Sequence, residues 1–215
     1  MKINPDDLTV KESYKLLQGS VVPRPIAWVS TISGDGKNNL APFSFFTVGS
    51  RQPPMLVISI GPGVGEREGT IKDTLTNIRD QKEFVVNIVS APLGNEMHRS
   101  GENLASDVDE FEYTGLTAAE SVVVKVPRVK ESPVNMECKL HDIIQLGSDH
   151  LIIGQVVQFH VKDELYDNGR INLEKLAPLG RLAGTYTPVE TIFTLPHDNL
   201  EQVLTTPVDK SKTDK

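Results

Sequence analysis

Two pairs of β-rich runs, each joined by a short turn, constrain the fold of this chain more than any other feature of its sequence. Residues 26–33 (IAWVSTIS) and 41–50 (APFSFFTVGS) flank an Asp35-Gly36 turn. Residues 136–146 (MECKLHDIIQL) and 150–165 (HLIIGQVVQFHVKDEL) flank a second turn, and the first of these two runs begins with the apolar and polar alternation of a half-buried strand. We therefore predict two antiparallel hairpins.

Two further runs predict strands outside the hairpins. Residues 55–61 follow Pro53 and Pro54, which cannot donate ladder hydrogen bonds, so this strand is expected to begin after Pro54. Residues 83–89 (EFVVNIV) are apolar apart from the first residue, Glu83, and one asparagine, which is typical of a buried strand.

Helical spacing is restricted to short segments. Residues 9–18 predict a helix closed by a cap at Gly19, and residues 70–79 predict a second helix with Thr70 as its N-cap. Residues 92–101 are also expected to be helical, whereas the acidic residues 107–112 (DVDEFE) are expected to form a surface loop.

The order of these elements predicts a mainly β fold. Six or more strands, two or three short helices and no regular βαβ alternation favour an antiparallel barrel with helices packed at its ends. The length of 215 residues fits one large domain, expected over residues 1–200, followed by a polar tail at residues 201–215.

Charge and cysteine content exclude several classes of function. The formal net charge of -7 argues against a nucleic-acid partner, which requires a basic surface. The single cysteine, Cys138, rules out an intrachain disulfide, and no Cys/His pair has the spacing of a metal site. The polar N-terminus and the lack of an apolar run of about 18 residues predict no membrane span and a cytoplasmic location.

Three features that invite a catalytic interpretation are weak. Residues 61–65 (GPGVG) lack both the ending of a P-loop and the spacing of a dinucleotide-binding loop, so a flexible loop is favoured. No GxSxG elbow accompanies the serines, which leaves little support for hydrolase chemistry. Cys138 lies in an alternating strand and is expected to be a core residue, not a nucleophile.

The stretch of residues 24–46 combines aromatic side chains with hydroxyl and amide groups. A flat aromatic ligand with a phosphate tail needs apolar walls, hydrogen-bonding groups for its polar edge and a cation for its phosphate. The apolar walls are offered by Trp28, Phe45 and Phe46. The polar contacts are offered by Ser30, Thr31, Asn39 and Ser44, and the groups for the phosphate by Lys72 and Thr74. An alternative in which these aromatics belong to the core is supported equally well.

Several segments, in this order, resemble the flavin reductase-like family with the FMN-binding split-barrel fold. They run from about residue 10 to residue 190 and include RPIAWVST, NLAPFSFF, KDTLTNI, EFVVNIV, Glu137 to His141 after Ser132-Pro133, IGQVV and PLGRLAGTY. Within this family the chain is similar to the reductase components of two-component flavin monooxygenases, of the nitrilotriacetate monooxygenase component B type.

The resemblance implies a Greek-key split barrel and a homodimer with FMN sites near the subunit interface. It implies FMN contacts at hairpin residues Trp28, Ser30, Thr31, Asn39, Ala41, Pro42, Ser44, Phe45 and Phe46. It places Lys72, Asp73 and Thr74 by the phosphate and ribityl chain, and Arg181 and Tyr186 where they close the site, although the family often has a second glycine where this chain has Ala183.

The resemblance also implies that NAD(P)H, as a transient co-substrate, reduces the flavin, which then serves a partner monooxygenase or another acceptor. His141 is a candidate for contacting the nicotinamide or flavin ring; the alternative is an ordinary strand histidine. Two other functions stay open: an FMN-binding electron carrier that does not oxidise NAD(P)H, and a non-catalytic split-barrel binding module. If Trp28 contacts FMN, Trp28→Ala is expected to weaken FMN binding more than folding.

Overall fold

The computed structural model describes residues 1–193. The predicted tail at residues 201–215, and the end of the predicted domain at residues 194–200, lie outside the described residues.

Helices are short in the described part of the chain. They are α1 (Val10–Ser20), α2 (Asp73–Gln81), α3 (Gly94–Arg99), α4 (Glu110–Thr114) and α5 (Leu173–Leu176). Single turns of 3-10 helix lie at Pro5–Asp7, Gly65–Arg67, Ala91–Leu93 and Asp163–Leu165. Across residues 1–193, none of the helices has the length and apolar character needed to cross a bilayer.

Strands make up most of the regular structure. The larger ones are β1 (Ala27–Ile32), β2 (Asn38–Phe43), β3 (Phe46–Arg51), β4 (Pro54–Ile60) and β5 (Glu83–Ile88). After the short β6 (Ala118–Ala119) and β7 (Arg128–Val129) come the two long strands β8 (Val134–Leu146) and β9 (Asp149–Val161). The short strands that follow are β10 (Tyr166–Asp167), β11 (Arg170–Ile171), β12 (Leu179–Arg181) and β13 (Tyr186–Pro188).

Seven strands form one antiparallel sheet in the order β2-β1-β5-β8-β9-β4-β3. Both predicted turns join antiparallel strands: β1 pairs with β2, with Thr31 opposite Asn39, and β8 pairs with β9, with Leu146 opposite Asp149. The single run predicted over residues 41–50 is wrong, because β2 ends at Phe43 and β3 begins at Phe46 and pairs with β4 at the other end of the sheet. The mainly β class is confirmed as well. The predicted strand over residues 55–61 is β4, which begins one residue earlier than expected, at Pro54 opposite Arg51.

One face of this sheet encloses the main core. Buried residues of six strands point into it, among them Ala27 and Val29 of β1, Ile58 of β4, Val86 of β5 and Ile152 of β9. The two strand pairs at opposite ends of the sheet therefore share one apolar interior, which requires the sheet to curl. Register shifts in the β8–β9 pairing, one in each strand, assist this curvature, because β-bulges increase the local twist.

Close packing in this core explains a glycine within β9. A Cβ atom placed on Gly154 would lie 2.2 Å from Cζ of Phe84, whose ring has no exposed surface. The Phe84 ring thus occupies the space that a side chain at position 154 would need.

The opposite face of β1 and β2 carries a second core, covered by α3 and α4. Trp28 and Leu40 pack there with Met97 of α3 and Phe111 of α4. Because successive side chains of a strand point to opposite faces, Trp28 lies on the other side of the sheet from Ala27 and Val29.

The bounds of two predicted helices need correction. The helix predicted to stop at Gly19 continues to Ser20 and is capped by Val21, and none of its side chains is buried. The helix predicted from residue 70 starts after Lys72, since the Thr70 hydroxyl donates to the carbonyl of Arg67 instead of capping the helix.

The acidic residues 107–112, predicted to be a surface loop, contain the start of α4. Asp109 caps this helix by accepting a hydrogen bond of 2.8 Å from the Phe111 backbone N–H. Glu110 and Phe111 are both buried, because the helix packs its apolar side on the second core.

A buried carboxylate fixes the loop before β7. Glu137 has no exposed surface and accepts backbone hydrogen bonds from Val122, Val123 and Val124 at 2.7, 2.7 and 2.9 Å. It also pairs with Nε2 of His160 on β9. Burial raises the pKa of Glu137, but the four hydrogen bonds outweigh it and hold the pKa below its usual range.

Candidate functional site

A groove runs along the end of β2 and is formed by two adjoining cavities. Both cavities are lined by Pro42, Phe43, Gly101 and Glu102, so they are continuous with each other. The first extends toward Lys72 and α2 and is called here the Lys72 end. The second extends toward Arg181 and α1 and is called the Arg181 end.

Lys72 supplies an available cation at the Lys72 end. It is half-buried at the N-cap of α2, with its Nζ 5.6 Å from the centroid of the Phe43 ring. Burial, and secondarily the charge of Arg67, lower the pKa of Lys72. None of the carboxylates whose side chains the structure describes lies within ion-pair distance of it, which leaves its charge available to an anion.

The second cation at this end is already compensated. Arg67 donates to both carboxylate oxygens of Asp73, at 2.7 and 2.9 Å. These hydrogen bonds lower the pKa of Asp73. Asp73, predicted to lie by the phosphate, therefore does line the Lys72 end, but its carboxylate serves Arg67.

Gly63, from the predicted flexible loop, is also part of the Lys72 end. A Cβ atom there would come within 2.2 Å of the carbonyl oxygen of Arg67, and the Gly63 backbone N–H donates to Thr70 at 2.8 Å. The glycine thus permits a close backbone contact that shapes the wall beside Lys72.

A chain of hydrogen bonds fixes the predicted residues Asn39, Thr74 and Thr31. The Thr74 and Thr31 hydroxyls donate to Oδ1 of Asn39 at 2.9 and 3.3 Å, and Asn77 Nδ2 donates to the Thr31 hydroxyl at 3.0 Å. Asn39 and Thr74 line the groove, whereas Thr31 is fully buried beneath them. Thr31 can therefore act only by holding Asn39 in place.

Glu110 completes this chain and was missed by the sequence interpretation. Its Oε1 accepts from Asn39 Nδ2 at 2.9 Å and its Oε2 accepts from the Leu40 backbone N–H at 3.0 Å. Burial raises the pKa of Glu110 from 4.5 to about 7, against the opposing effect of these hydrogen bonds. The signal that could have revealed α4 is an aspartate N-cap at Asp109 directly before an acidic first turn.

At the Arg181 end, the structure joins the first β-hairpin to the predicted residues of PLGRLAGTY. Arg24 and Arg181 form an isolated β-bridge, exchanging backbone hydrogen bonds of 2.9 and 2.8 Å. The Arg181 guanidinium lies over the Tyr186 ring at 4.4 Å, and the Tyr186 hydroxyl lies 3.1 Å from Nδ1 of His98. Arg181, Tyr186 and Ser44, three of the predicted site residues, all line this end.

Arg24 is a second residue that the sequence interpretation missed. Its Nε donates to the Ser44 hydroxyl at 3.3 Å, and its Nη1 donates to the carbonyls of Gln18 and Val21. Its Nη2 donates to the carbonyl of Leu182 at 2.8 Å. Arg24 thereby ties the end of α1 and the segment after β12 to the groove.

The remaining predicted hairpin residues divide between the groove and its surroundings. Ala41 and Pro42 line the groove. Phe45 lies beside it, its ring centroid 5.6 Å from the guanidinium of Arg24 and 6.2 Å from the Tyr14 ring. Phe46 packs against the main core instead.

Trp28 and Ser30 do not reach the groove. Trp28 has no exposed surface, and its indole N–H donates to the Ser100 hydroxyl at 2.8 Å. Ser30 is also fully buried and donates to the carbonyl of Pro127 at 2.6 Å. Both lie in the interior because their face of β1 is covered, so for Trp28 the structure supports the alternative in which the aromatic side chain belongs to the core. Trp28 supports the groove only through Ser100, which lines it.

His141 is exposed on β8 and lines a separate depression with Arg79, Lys82 and His150. Within this chain it is not brought to the groove, because it lies in the distal half of the β8–β9 hairpin. Cys138 has no exposed surface and burial raises its pKa, which agrees with the predicted core position.

Comparison with known proteins identifies relatives over nearly the whole described chain. The sequence profile of the flavin reductase like domain matches residues 19–189. The crystal structure of nitrilotriacetate monooxygenase component B from Bacillus cereus is 39% identical, with a TM-score of 0.87 over 91% of this chain and 98% of that chain. That of 2-nitrobenzoate 2-nitroreductase NbaA from Pseudomonas fluorescens is 32% identical, with a TM-score of 0.81 over 92% and 97%.

A more distant structure supports the fold alone. The putative flavin reductase with split barrel domain from Shewanella frigidimarina is 22% identical, with a TM-score of 0.78 over 92% of this chain and 100% of that chain. The expected split-barrel fold is therefore confirmed.

Proposed function

Because this chain belongs to the family of the flavin reductase like domain, we propose that it is an FMN-binding NAD(P)H:flavin oxidoreductase that supplies reduced flavin to a partner monooxygenase or another acceptor. The observation that carries the proposal is the groove. It brings β2, the start of α2 and the β12–β13 segment, which are distant in sequence, to one open surface.

The groove residues fit FMN. Lys72 would bind the phosphate together with Thr74, because Lys72 is a half-buried cation that pairs with no carboxylate among the side chains the structure describes. Asn39, Ala41, Pro42 and Ser44 would contact the ribityl chain and the ring system, and Arg181 and Tyr186 would close the site. Asp73 would act through Arg67, whereas Trp28, Ser30 and Thr31 would support the wall from behind.

Bound flavin would supply the redox chemistry by accepting a hydride from NAD(P)H. The chain's own task is to hold and orient the two ligands. Ser44 suits this role, since its oxygen accepts from Arg24 and its hydrogen stays available for a ligand. Asn39 is held in one orientation by three side-chain partners, which presents a defined edge of β2 to the groove.

We also propose a homodimer. Val10, Tyr14 and Leu17 of α1 are 87%, 50% and 60% exposed, so most of the apolar side of this helix is uncovered within the described chain, although the Tyr14 ring contacts Phe45. Tyr14 and Gln18 line the Arg181 end, so a second copy covering α1 would lie beside the groove. In such a dimer His141, exposed on one subunit, is the candidate that would contact the nicotinamide or flavin ring of the other.

The similar structures suggest two kinds of electron acceptor. One similar structure is a monooxygenase component and another is a nitroreductase, so both a partner oxygenase and a small oxidised molecule are candidates. A cytoplasmic location agrees with the use of NAD(P)H and is part of the proposal.

An anaerobic experiment tests the function. Purified protein is mixed with FMN and then with NADH or NADPH, and the visible absorption of oxidised flavin is followed. We expect uptake of FMN and bleaching much faster than that of free FMN. Uptake without accelerated bleaching would instead support the electron carrier, and no uptake would support the binding module.

A further inference from the structure

Two guanidinium groups share the Arg181 end without a counter-ion. Arg24 and Arg181 face each other across an isolated antiparallel bridge, which places both side chains on the same side. Neither forms an ion pair with a carboxylate whose side chain is described in the structure. The only carboxylate lining this end, within the described chain, is Glu102, whose Oε2 accepts from the Tyr113 hydroxyl at 2.7 Å.

This arrangement opposes folding unless an anion compensates it. Like charges directly opposite each other in antiparallel pairing are destabilising. Arg24 is only 5% exposed, and burial, together with a smaller effect of Arg181, lowers its pKa. The position of Arg24 is nevertheless explained by the fold, because its guanidinium holds Ser44 and three backbone carbonyls.

Arg181 has no comparable structural role for its guanidinium. Its Nη1 is buried and donates to no atom in the described chain. Its contact is with the face of the Tyr186 ring at 4.4 Å, which leaves the planar N–H groups unused. An unused donor on a charged group beside a cavity is costly unless a ligand accepts from it.

We propose that Arg181, with Arg24 beside it, forms an anion-binding subsite for the carboxylate or phosphate of the co-substrate that reacts with the bound flavin. The proposal rests on the proposed function. FMN carries one phosphate, which the proposed function assigns to Lys72 at the opposite end of the groove. The second cationic end therefore serves another anion.

The surroundings favour a flat anionic compound. The Tyr186 ring provides apolar surface next to the guanidinium groups, and the nearly buried Ile26 and Met97 line the same end. A planar fork of N–H donors matches carboxylate and phosphate oxygens. Two sources share this chemistry: an aromatic carboxylate that accepts electrons, and a phosphate of the pyridine dinucleotide that donates them.

The test compares three variants with the wild-type protein loaded with FMN. Arg181→Gln removes the charge, Arg181→Lys retains it without the planar fork, and Arg51→Gln is the matched control at the exposed end of β3. Thermal melting of each variant identifies any loss of folding. FMN and riboflavin affinities, benzoate and benzamide affinities, and the KM for NADH and NADPH are then measured.

The proposal predicts that Arg181→Gln changes the affinities for FMN and riboflavin by the same factor, because Arg181 helps to close the flavin site but does not bind the FMN phosphate. If the source is a carboxylate, the preference of the wild type for benzoate over benzamide is lost in Arg181→Gln and partly kept in Arg181→Lys. If the source is a dinucleotide phosphate, Arg181→Gln raises the KM for NADH or NADPH about tenfold with little change in kcat, equivalent to about 1.4 kcal/mol.

Two results would overturn the proposal. One is a loss of FMN affinity in Arg181→Gln without an equal loss of riboflavin affinity, which would assign the subsite to the flavin phosphate. The other is an unchanged benzoate preference together with unchanged KM values. Failure of the proposed function can be told apart from failure of this subsite, because it would appear as absent FMN uptake in the wild type and in Arg51→Gln as well. In that case benzoate binding can still be measured by calorimetry on the flavin-free protein.

Discussion

Glu110 Oε1 accepts a hydrogen bond of 2.9 Å from Asn39 Nδ2, which connects a buried carboxylate of α4 to the wall of the groove. The same carboxylate accepts from the Leu40 backbone N–H, so this one side chain holds α4 to β2 by two hydrogen bonds. Since burial raises its pKa to about 7, this link changes its charge near neutral pH.

The raised pKa of Glu110 predicts that stability falls between pH 5 and pH 8. Between its ordinary pKa of 4.5 and its folded value of about 7, the unfolded chain releases a proton that the folded chain retains. Rising pH therefore favours unfolding, by at most about 3 kcal/mol over this range. Glu110→Gln should reduce this decline, as measured by urea unfolding at several pH values.

Glu112→Gln is the matched control for Glu110, because Glu112 lies on the same helix and is exposed. Its stability should follow the wild-type pH dependence. Parallel curves for wild type and Glu110→Gln would show that Glu110 does not cause the decline.

Lys72→Gln is expected to weaken FMN binding about tenfold and riboflavin binding by less than about threefold. The reason is that a charge-assisted hydrogen bond to phosphate contributes about 1.5–3 kcal/mol, and only FMN carries the phosphate. Fluorescence titration with both flavins measures the difference. Lys125→Gln, at an exposed lysine outside the groove, should change neither affinity, and equal losses for both flavins in Lys72→Gln would exclude the phosphate role.

The structure reverses the expectation for Trp28. Trp28→Ala should cost about 3–5 kcal/mol of stability, because it removes a fully buried side chain from the second core. FMN affinity of the remaining folded protein should change much less, since the ring does not line the groove. Chemical denaturation and flavin titration of the same samples provide the two values.

Ser100→Ala separates packing from hydrogen bonding at Trp28. It removes the acceptor of the indole N–H but keeps the ring, so the expected loss of stability is about 1 kcal/mol. If Trp28→Ala instead lost more in flavin affinity than in stability, Trp28 would have to contact the ligand.

The strands could be predicted from the sequence because their patterns are local. The β1–β2 and β8–β9 hairpins follow from β-rich runs around short turns. The same period of two shows that Trp28 and Val29 face opposite ways, but not which face is covered by helices. That depends on α3 and α4, and α4 was hidden by the acidic composition around Glu110.

The composition of the groove was predicted only in part, for a related reason. Residues 39–44 and Lys72 to Thr74 are recognisable as segments, and the structure brings them together. The partners of their side chains come from distant parts of the chain: Glu110 for Asn39, and Arg24 for Ser44. Neither pairing has a spacing or motif that sequence periodicity can reveal.

Glu137→Gln is expected to destabilise the protein by about 2–4 kcal/mol at neutral pH. The carboxylate accepts three backbone N–H groups and contacts His160, and an amide cannot accept all of them because one of its two ends is a donor. The folded pKa lies below the ordinary value of 4.5, so this stabilisation is present above that pH and is lost as the pH falls through the folded pKa. Denaturation midpoints of the wild type and Glu137→Gln should therefore converge in acid.

Glu120→Gln is the control, because Glu120 is an exposed glutamate before the same loop, and its stability should match the wild type at every pH. A constant difference in stability between the wild type and Glu137→Gln down to strong acid would contradict the role assigned to the ionised carboxylate.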